Sequence, residues 1–201
     1  EHERFLFEGK EKKRITNNTL SQLFENLKKS GWSPQYEKEN IIGMKRGDQQ
    51  ITTEPGLQCE LSGAPLNNIH EVCSESSTFL NEIKEASQGL NINTVSIGFD
   101  PFNSLRSISQ SPKQRYKIMT EEMPKKGKQS LEMMYRTCGI QVNYDYVSEI
   151  NFEKIFRLGN YLTPLTIALY ANSPFENGKP TGFQSYRNKV WQNTSRGGIM
   201  P

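Results

Sequence analysis

The sequence predicts a single α+β domain built on a mainly antiparallel or mixed sheet. Apolar residues change along the chain from the alternating spacing of strands to the three-to-four residue spacing of helices. These segments do not follow the strict strand–helix–strand rhythm that a parallel sheet requires. With 201 residues, of which 34% are hydrophobic, the chain is long enough to bury one core.

Strands are predicted where apolar and polar residues alternate over a short stretch. They cover residues 4–8, 51–53, 58–61, 95–99 and 140–146. Pro55-Gly56 separates the second from the third and predicts a turn or bulge between them.

Helices are predicted where apolar residues repeat every three or four positions. They cover residues 20–27, 66–86, 131–138 and 152–169. Gly31 and Gly89 are placed to end the first two, and Pro164 is expected to kink the last. Cys73 falls on the apolar stripe of the second helix, so we expect it to be buried.

The chain after Asn172 is rich in Gly, Pro, Asn and Ser and is predicted to be a loop. It also carries Phe175 and Trp191, which favour an ordered, packed loop. Arg187 and Arg196 suggest anion binding, because a guanidinium grips carboxylate or phosphate with two hydrogen bonds. The alternative is a surface loop with solvated arginines.

Three predicted strand regions place acidic or amide side chains two residues apart, and therefore on one face. These are Glu1 with Glu3, Gln58 with Glu60 after the nearby Glu54, and Gln141 with Asn143 and Asp145. Oxygen ligands without clustered His or Cys suit Mg²⁺ or Mn²⁺. The alternative is that each set is the solvated face of a half-exposed strand.

Charge and cysteine content restrict the remaining classes of function. A net charge of +3 is small for a nucleic-acid-binding protein, and the basic run from Lys113 to Lys128 is interrupted by Glu121 and Glu122. A solvated helix face is favoured, with a module for single-stranded nucleic acid as the alternative. Three scattered cysteines fit a reducing compartment and predict a cytoplasmic location. No apolar run is long enough to predict a membrane helix.

Four segments stand out in order along the chain: EHE at residues 1–3, EPGLQCELSGAP at 54–65, MMYRTCGIQVNYD at 133–145 and ANSPFENGKPTGFQSYRNKVW at 171–191. Together they resemble the glutamate–cysteine ligases of plants and proteobacteria. One departure is Leu57, which replaces the second glycine of the family motif. The resemblance covers essentially the whole chain.

This resemblance implies a glutamine-synthetase-like funnel formed by an antiparallel sheet. It also implies an ATP-dependent ligase that joins L-cysteine to the γ-carboxyl of L-glutamate through γ-glutamyl phosphate, the first step of glutathione synthesis. The implied cofactors are ATP and Mg²⁺, with Mn²⁺ as the alternative metal. Another carboxylate–amine ligase with a different amine acceptor is the alternative.

The implied roles fall on specific residues. Glu1, Glu3, Glu54 and Glu60 correspond to metal ligands, Arg115 and Arg187 to groups that hold substrate carboxylates, and Arg196 to a catalytic arginine facing phosphate; Arg187 is expected to be catalytic as well. Tyr116, Gln141, Asn143 and Trp191 are expected to line the substrate pocket.

The resemblance further implies that residues 1–201 form the N-terminal and central part of one catalytic domain, truncated at both ends and inactive alone. We expect a monomer or homodimer that binds neither nucleic acid nor membranes.

Overall fold

An antiparallel sheet forms the centre of the structure, a computed structural model that describes residues 1–125 and 127–194. Its strands are β1 (His2–Glu8), β2 (Lys13–Arg14), β3 (Ser33–Glu37), β4 (Asn40–Arg46), β5 (Gln49–Thr53), β6 (Cys59–Ser62) and β7 (Ile92–Val95). The order is β2-β1-β6-β5-β4-β3, and β7 also pairs with β1. Each of these pairs is antiparallel, which confirms the predicted α+β class.

The helices are α1 (Asn17–Leu27), α2 (Ile69–Ala86), α3 (Gln114–Glu122), α4 (Ser130–Arg136), α5 (Glu149–Leu169) and α6 (Tyr186–Gln192). A small hairpin, β8 (Phe175–Glu176) and β9 (Lys179–Pro180), precedes α6. Thr16, Asn68 and Ser148 cap α1, α2 and α5 by accepting backbone N–H groups of the first turn.

The main core lies between the sheet and the pair α1 and α2. Leu6, Ile51 and Leu61 project from β1, β5 and β6 toward Phe24 and Phe79 on the helices, and all five are buried. Burial of one such side chain contributes about 1.5–3 kcal/mol. Because successive strand residues alternate between faces, Glu3 and Glu60 lie on the opposite side of the sheet from this core.

Several predicted elements are confirmed. The strands at 51–53 and 58–61 correspond to β5 and β6, and the first helix corresponds to α1. Gly31 closes the short 3-10 turn after α1 with a φ of +83°, a conformation that glycine adopts without strain. The hairpin of β3 and β4 was not predicted, because its Pro, Gly and Lys residues hide the alternating pattern.

The prediction of a strand over residues 140–146 is wrong. The described chain there is irregular and exposed, apart from one antiparallel bridge between Ile140 and His2. Because the segment runs antiparallel to β1, residues after Gln141 extend past Glu1, where no described strand faces them. Alternating sequence alone cannot form a strand without a neighbouring backbone to bond.

Two further segments differ from the prediction. The strand expected at 95–99 is observed as β7, which ends at Val95, and Phe99 makes only an isolated bridge to Thr137. The predicted loop after Asn172 contains the β8–β9 hairpin and α6, so Arg187 and Trp191 lie on a helix. Ser185 caps α6 by accepting the N–H of Asn188.

Cys73 is exposed, contrary to the prediction. It lies in the N-terminal half of α2, whose buried residues are Phe79, Ile83 and Ala86, all farther along the helix. An apolar stripe is buried only over the length that meets a neighbouring element, and here that length starts after Cys73.

Helix α5 contains no buried residue within the described structure. Its exposed apolar side chains are Ile150, Phe152, Phe156, Leu158, Tyr161, Leu162, Leu165 and Leu169. Pro164 lies inside the helix, which continues without a break to Leu169. No helix among the described residues is long and apolar enough to cross a membrane.

Candidate active site

Two glutamates face each other directly across the β1–β6 pair. Glu3 on β1 is the register partner of Glu60 on β6, so their side chains leave the same face of the sheet opposite the helical core. Like charges at directly opposed positions destabilise a sheet unless a cation or a proton compensates them. The antiparallel register thus concentrates negative charge at one place on the polar face.

Glu54 joins this pair from the turn that connects β5 to β6. The N–H of Leu57 donates to the Glu54 carbonyl at 2.9 Å, and the N–H of Glu54 donates to the Gln58 carbonyl at 2.9 Å. The Gln58 side chain accepts from the Gly56 N–H at 2.9 Å and donates to the Met134 and Thr137 carbonyls. The turn is therefore fixed both internally and against the end of α4.

Neighbouring carboxylates act on the pKa values of Glu3 and Glu54. Burial, followed by the charges of Glu54 and Glu60, raises the pKa of Glu3 to about 7. Burial and the nearby Glu60 also raise the pKa of Glu54. In both groups burial is the larger cause and the neighbouring carboxylate charge adds to it.

Each carboxylate has its own hydrogen-bonding partner. Glu3 accepts from the Gly139 N–H, Glu54 accepts from the Tyr116 hydroxyl at 3.0 Å, and Glu60 accepts from the Ser62 hydroxyl at 2.7 Å. Within residues 1–125 and 127–194, no group of three or more Asp, Glu, His or Cys side chains converges closely enough to hold a metal ion.

Glu1, Gln141 and Asn143 lie at the edge of this face. The Asn143 amide donates to the Glu1 carboxylate at 3.4 Å, and the Gln141 N–H donates to the Glu1 carbonyl at 3.0 Å. Gln141 and Asn143 are exposed, and Glu1 faces Asn143. Glu1 is one of the four predicted metal ligands. The carboxylate charges that raise the pKa values of Glu3 and Glu54 come from Glu54 and Glu60, and Glu1 is not among them. We call Glu3, Glu54 and Glu60 the acidic cluster.

Arg187, on α6, faces the acidic cluster and opposes the rise in the Glu3 pKa. Its guanidinium fills the space beside Gly139, where an added Cβ would lie 2.7 Å from Nη2. An added Cβ at Gly98 would lie 3.2 Å from its Cδ. The Arg187 N–H donates to the Ser173 hydroxyl at 3.2 Å, which anchors the start of α6.

Arg115 and Tyr116 come from the start of α3. The Arg115 guanidinium donates to the Tyr116 hydroxyl, whose single proton is within reach of the Glu54 carboxylate at 3.0 Å and of the Thr53 carbonyl at 3.1 Å. Burial and the Glu54 charge raise the pKa of Tyr116, so this hydroxyl stays protonated as a donor. Tyr116 therefore orients Glu54, and the exposed Arg115 contacts the Tyr116 hydroxyl from the other side.

Lys113 is a site residue that sequence reasoning assigned to a solvated surface. It is buried, and its ammonium donates to the Thr53 carbonyl at 2.9 Å. Burial, followed by repulsion from Arg115, lowers its pKa to about 8. A lysine in a basic run is ordinarily exposed, so the composition of this segment predicted a solvated side chain. The one sequence feature that could have indicated a place in the site is its position two residues before Arg115.

Trp191 follows Arg187 by one helical turn, and the guanidinium lies 5.4 Å from its ring centre. Arg187 Nε and Trp191 Nε1 are buried donors that have no hydrogen-bond partner among the described residues. Arg196, the other arginine assigned a catalytic role, lies outside the described residues.

An apolar cleft of about 530 Å³ lies farther along the same face of β1. Phe7, Val95 and Phe99 form its wall, with Lys10 and Lys12 as its charged residues. It is therefore a separate surface from the acidic cluster, although Asn172 and Ser173 border both the cleft and the Arg187 region.

The site combines three crowded carboxylates with cationic side chains that can bind anions. All-oxygen donors with excess negative charge fit a hard divalent cation, and Arg187 with Arg115 fits a carboxylate or phosphate. The acidic face of the antiparallel sheet, with Arg187 beside it, is therefore the candidate active site.

The chain belongs to glutamate-cysteine ligase family 2, whose family model matches residues 1–201. It is 42% identical to a chloroplastic glutamate–cysteine ligase of Medicago truncatula over 204 residues, covering 100% of this chain and 40% of the relative. It is 41% identical to those of Oryza sativa subsp. japonica (ligase A) and Arabidopsis thaliana, again covering 100% of this chain but 42% and 39% of the relatives.

The chain thus spans about two fifths of the length of these curated relatives. Their names place the relatives in chloroplasts, and the cytoplasmic location expected for this chain stays a prediction. The family resemblance inferred from the sequence motifs is confirmed.

Proposed function

We propose that this chain is part of an ATP-dependent ligase that joins the amine of L-cysteine to the γ-carboxyl of L-glutamate. The observation that supports it most is the facing pair Glu3 and Glu60, joined by Glu54 and opposed by Arg187, in a chain of the glutamate–cysteine ligase family. The same geometry suits the polar inner face of a glutamine-synthetase-like funnel.

The reaction has two transfers. The γ-carboxylate of glutamate takes the terminal phosphoryl group of ATP and releases ADP, and the cysteine amine then displaces phosphate and loses a proton. Charge develops on phosphoryl oxygens in both steps and must be stabilised. Mg²⁺ or Mn²⁺, when bound, would supply that stabilisation as a Lewis acid.

In this proposal the carboxylates form the cation site. Glu3, Glu54 and Glu60 would hold the cation, with Tyr116 fixing the direction of Glu54. Glu1 would contribute from the edge. Glu3, whose pKa is raised to about 7, would give up its proton when the cation binds, since ligands must be deprotonated.

The arginine side chains would supply the main substrate contacts. Arg187 would bind a substrate carboxylate, with its unpaired Nε as a donor and Trp191 as the adjacent wall. Arg115 would serve a second anionic group, and Gln141 and Asn143 would line the rim. Arg196 would face phosphate from the segment that follows α6.

We also propose that residues 1–201 form only part of the catalytic domain. Support comes from α5, which is apolar around much of its surface and buries no residue among the described part of the chain. A helix that is apolar on all sides is normally surrounded by protein. The relatives, more than twice as long, have chain available for that role.

Phosphate release by the full-length protein tests the proposed function. We expect release to require ATP, glutamate, cysteine and a divalent cation together, and to be lost in Glu54→Gln. Glu121→Gln, a change at an exposed acid on α3, is the matched control and should remain active. Absence of release from the unaltered protein would refute the proposal, and equal rates with other amines would favour the alternative acceptor.

A further inference from the structure

A buried ion pair lies behind the acidic site, outside the residues assigned to the reaction. Arg14 Nη1 on β2 lies 3.5 Å from Asp100 Oδ2, and neither side chain is accessible to solvent. The Arg14 guanidinium also stacks on the Phe5 ring, 4.5 Å from its centre. Phe5 shares its strand face with Glu3, so the pair sits close beneath the site.

Asp100 is a rigid anchor for this arginine. Its Oδ1 accepts the N–H groups of Phe102 at 2.9 Å and Asn103 at 3.1 Å. Its own N–H donates to the Arg136 carbonyl at 2.9 Å, and the Arg136 guanidinium donates back to the Asp100 carbonyl at 3.0 Å. The position of the Arg14 guanidinium is consequently fixed from several directions.

Arg14 also reaches the turn that carries Glu54 and the end of α4, while its buried Nε has no hydrogen-bond partner among the described residues. Nη2 donates to the Gly56 carbonyl, and Nη1 donates to the Tyr135 carbonyl at 3.3 Å. One guanidinium thereby ties the turn to the last turn of α4. The contact is close, because a Cβ added at Gly56 would lie 2.6 Å from the Tyr135 carbonyl oxygen.

We propose that Arg14 is a positioning residue for Glu54, and this inference rests on the proposed function. Gly56 follows Glu54 by two residues, and the Leu57 N–H to Glu54 carbonyl bond closes the same turn. Holding the Gly56 carbonyl therefore sets the backbone from which the Glu54 carboxylate projects toward Glu3 and Glu60. The Arg14–Asp100 pair acts as an outer support of the cation site rather than as a ligand.

Stability alone would be a simpler role for a buried ion pair. The chain offers a comparison in Arg46, a partly exposed arginine that pairs with Glu82 at 2.6 Å and stacks on Trp32, 4.3 Å from its ring centre. This second pair lies between β4 and α2, away from the acidic face. A variant there should lower stability without changing the cation site.

The experiment compares Arg14→Lys and the double variant Arg14→Met/Asp100→Asn with Arg46→Met/Glu82→Gln, all in the full-length protein. Lysine keeps the charge but cannot bond both carbonyls and Asp100, and the double variant avoids an unpaired buried charge. Mn²⁺ binding is measured by electron paramagnetic resonance, with the thermal midpoint as a check that each variant is folded. Exchange of the Leu57 amide hydrogen reports the turn without any metal.

We expect the Arg14 variants to weaken Mn²⁺ binding by about 10–100-fold, as loss of outer-shell supports does at metal sites. Their Leu57 amide should exchange faster, while amides of β4 and β5 keep their protection. The Arg46 double variant should lose thermal stability but keep both Mn²⁺ affinity and Leu57 protection.

Unchanged Mn²⁺ affinity and Leu57 exchange in folded Arg14 variants would overturn the positioning role and leave the proposed function intact. An equal loss of affinity in the Arg46 variant would also overturn it, because general destabilisation would then be the cause. If the unaltered protein binds no Mn²⁺, the proposed cation site and this inference both fail.

Discussion

The guanidinium of Arg187 occupies the space that a side chain at Gly139 would need. An added Cβ at Gly139 would lie 2.7 Å from Nη2 and 3.3 Å from Cζ of Arg187. The Gly139 N–H at the same time donates to Glu3. One glycine thus sets the distance between the arginine and the acidic cluster.

Gly139→Ala should displace Arg187 while leaving the fold intact. Because misplacement by about 1 Å can cost on the order of 10²-fold in rate, we expect kcat/KM for glutamate to fall at least about tenfold. Steady-state kinetics of the full-length protein measure this. In an Arg187→Ala background the added methyl should have little further effect, and additive losses would contradict the steric explanation.

Glu60→Gln should abolish turnover without unfolding the protein. The change removes one of the two facing charges, so stability without added metal should rise by about 0.2–1 kcal/mol. Urea unfolding and Mn²⁺ binding measure the two effects. Retained turnover would show that Glu60 is not a cation ligand.

The pH dependence of stability should identify the buried proton on Glu3. Its pKa is raised from 4.5 to about 7, so between these values the folded state keeps a proton that the unfolded chain has lost. Stability from this group is therefore present below pH about 4.5 and is lost as pH rises through about 7.

Glu3→Gln, which cannot lose a proton, serves as the reference. Thermal midpoints are measured for both proteins without metal. The midpoint of Glu3→Gln minus that of the unaltered protein should increase as the pH is raised from 5 to 8. A constant difference over this range would show that Glu3 titrates normally.

Leu57 combines a strained backbone with a buried side chain. Its φ is +61°, in the left-handed region, and its side chain is fully buried in the main core. Leu57→Ala should destabilise the protein by about 2–5 kcal/mol because it leaves a cavity and keeps the strain.

Leu57→Gly also leaves the cavity but relieves about 1 kcal/mol of strain. We therefore expect the glycine variant to be more stable than the alanine variant, the reverse of the usual order. Urea unfolding measures both, and a less stable glycine variant would contradict the strain.

The exposed surface of α5 should cause self-association of the 201-residue chain. Leu162→Gln, Leu165→Gln and Leu169→Gln together should reduce that association without lowering the thermal midpoint, since none of these residues is buried here. Sedimentation measures association. The same changes should destabilise the full-length protein, and unchanged stability there would argue that α5 is not covered by the rest of the domain.

The sequence by itself determined the local elements and the family. The alternating pattern was sufficient to predict β5 and β6, and the helical spacing was sufficient to predict α1. Each of these elements buries one regular face against the same core. Ordered motifs predicted Glu1, Glu3, Glu54 and Glu60 as metal ligands and Arg187 as a catalytic and substrate-binding residue, and these roles stay predictions.

Only the tertiary structure decided which residues meet. Three features depend on contacts between distant parts of the chain. They are the register that places Glu3 opposite Glu60, the close approach of Arg187 to Gly139, and the burial of Lys113. The false strand at 140–146 has the same cause. Local periodicity specifies on which face of its own strand or helix a side chain lies. Strand pairing and packing depend on contacts with residues far away in the sequence, and local periodicity does not specify those contacts.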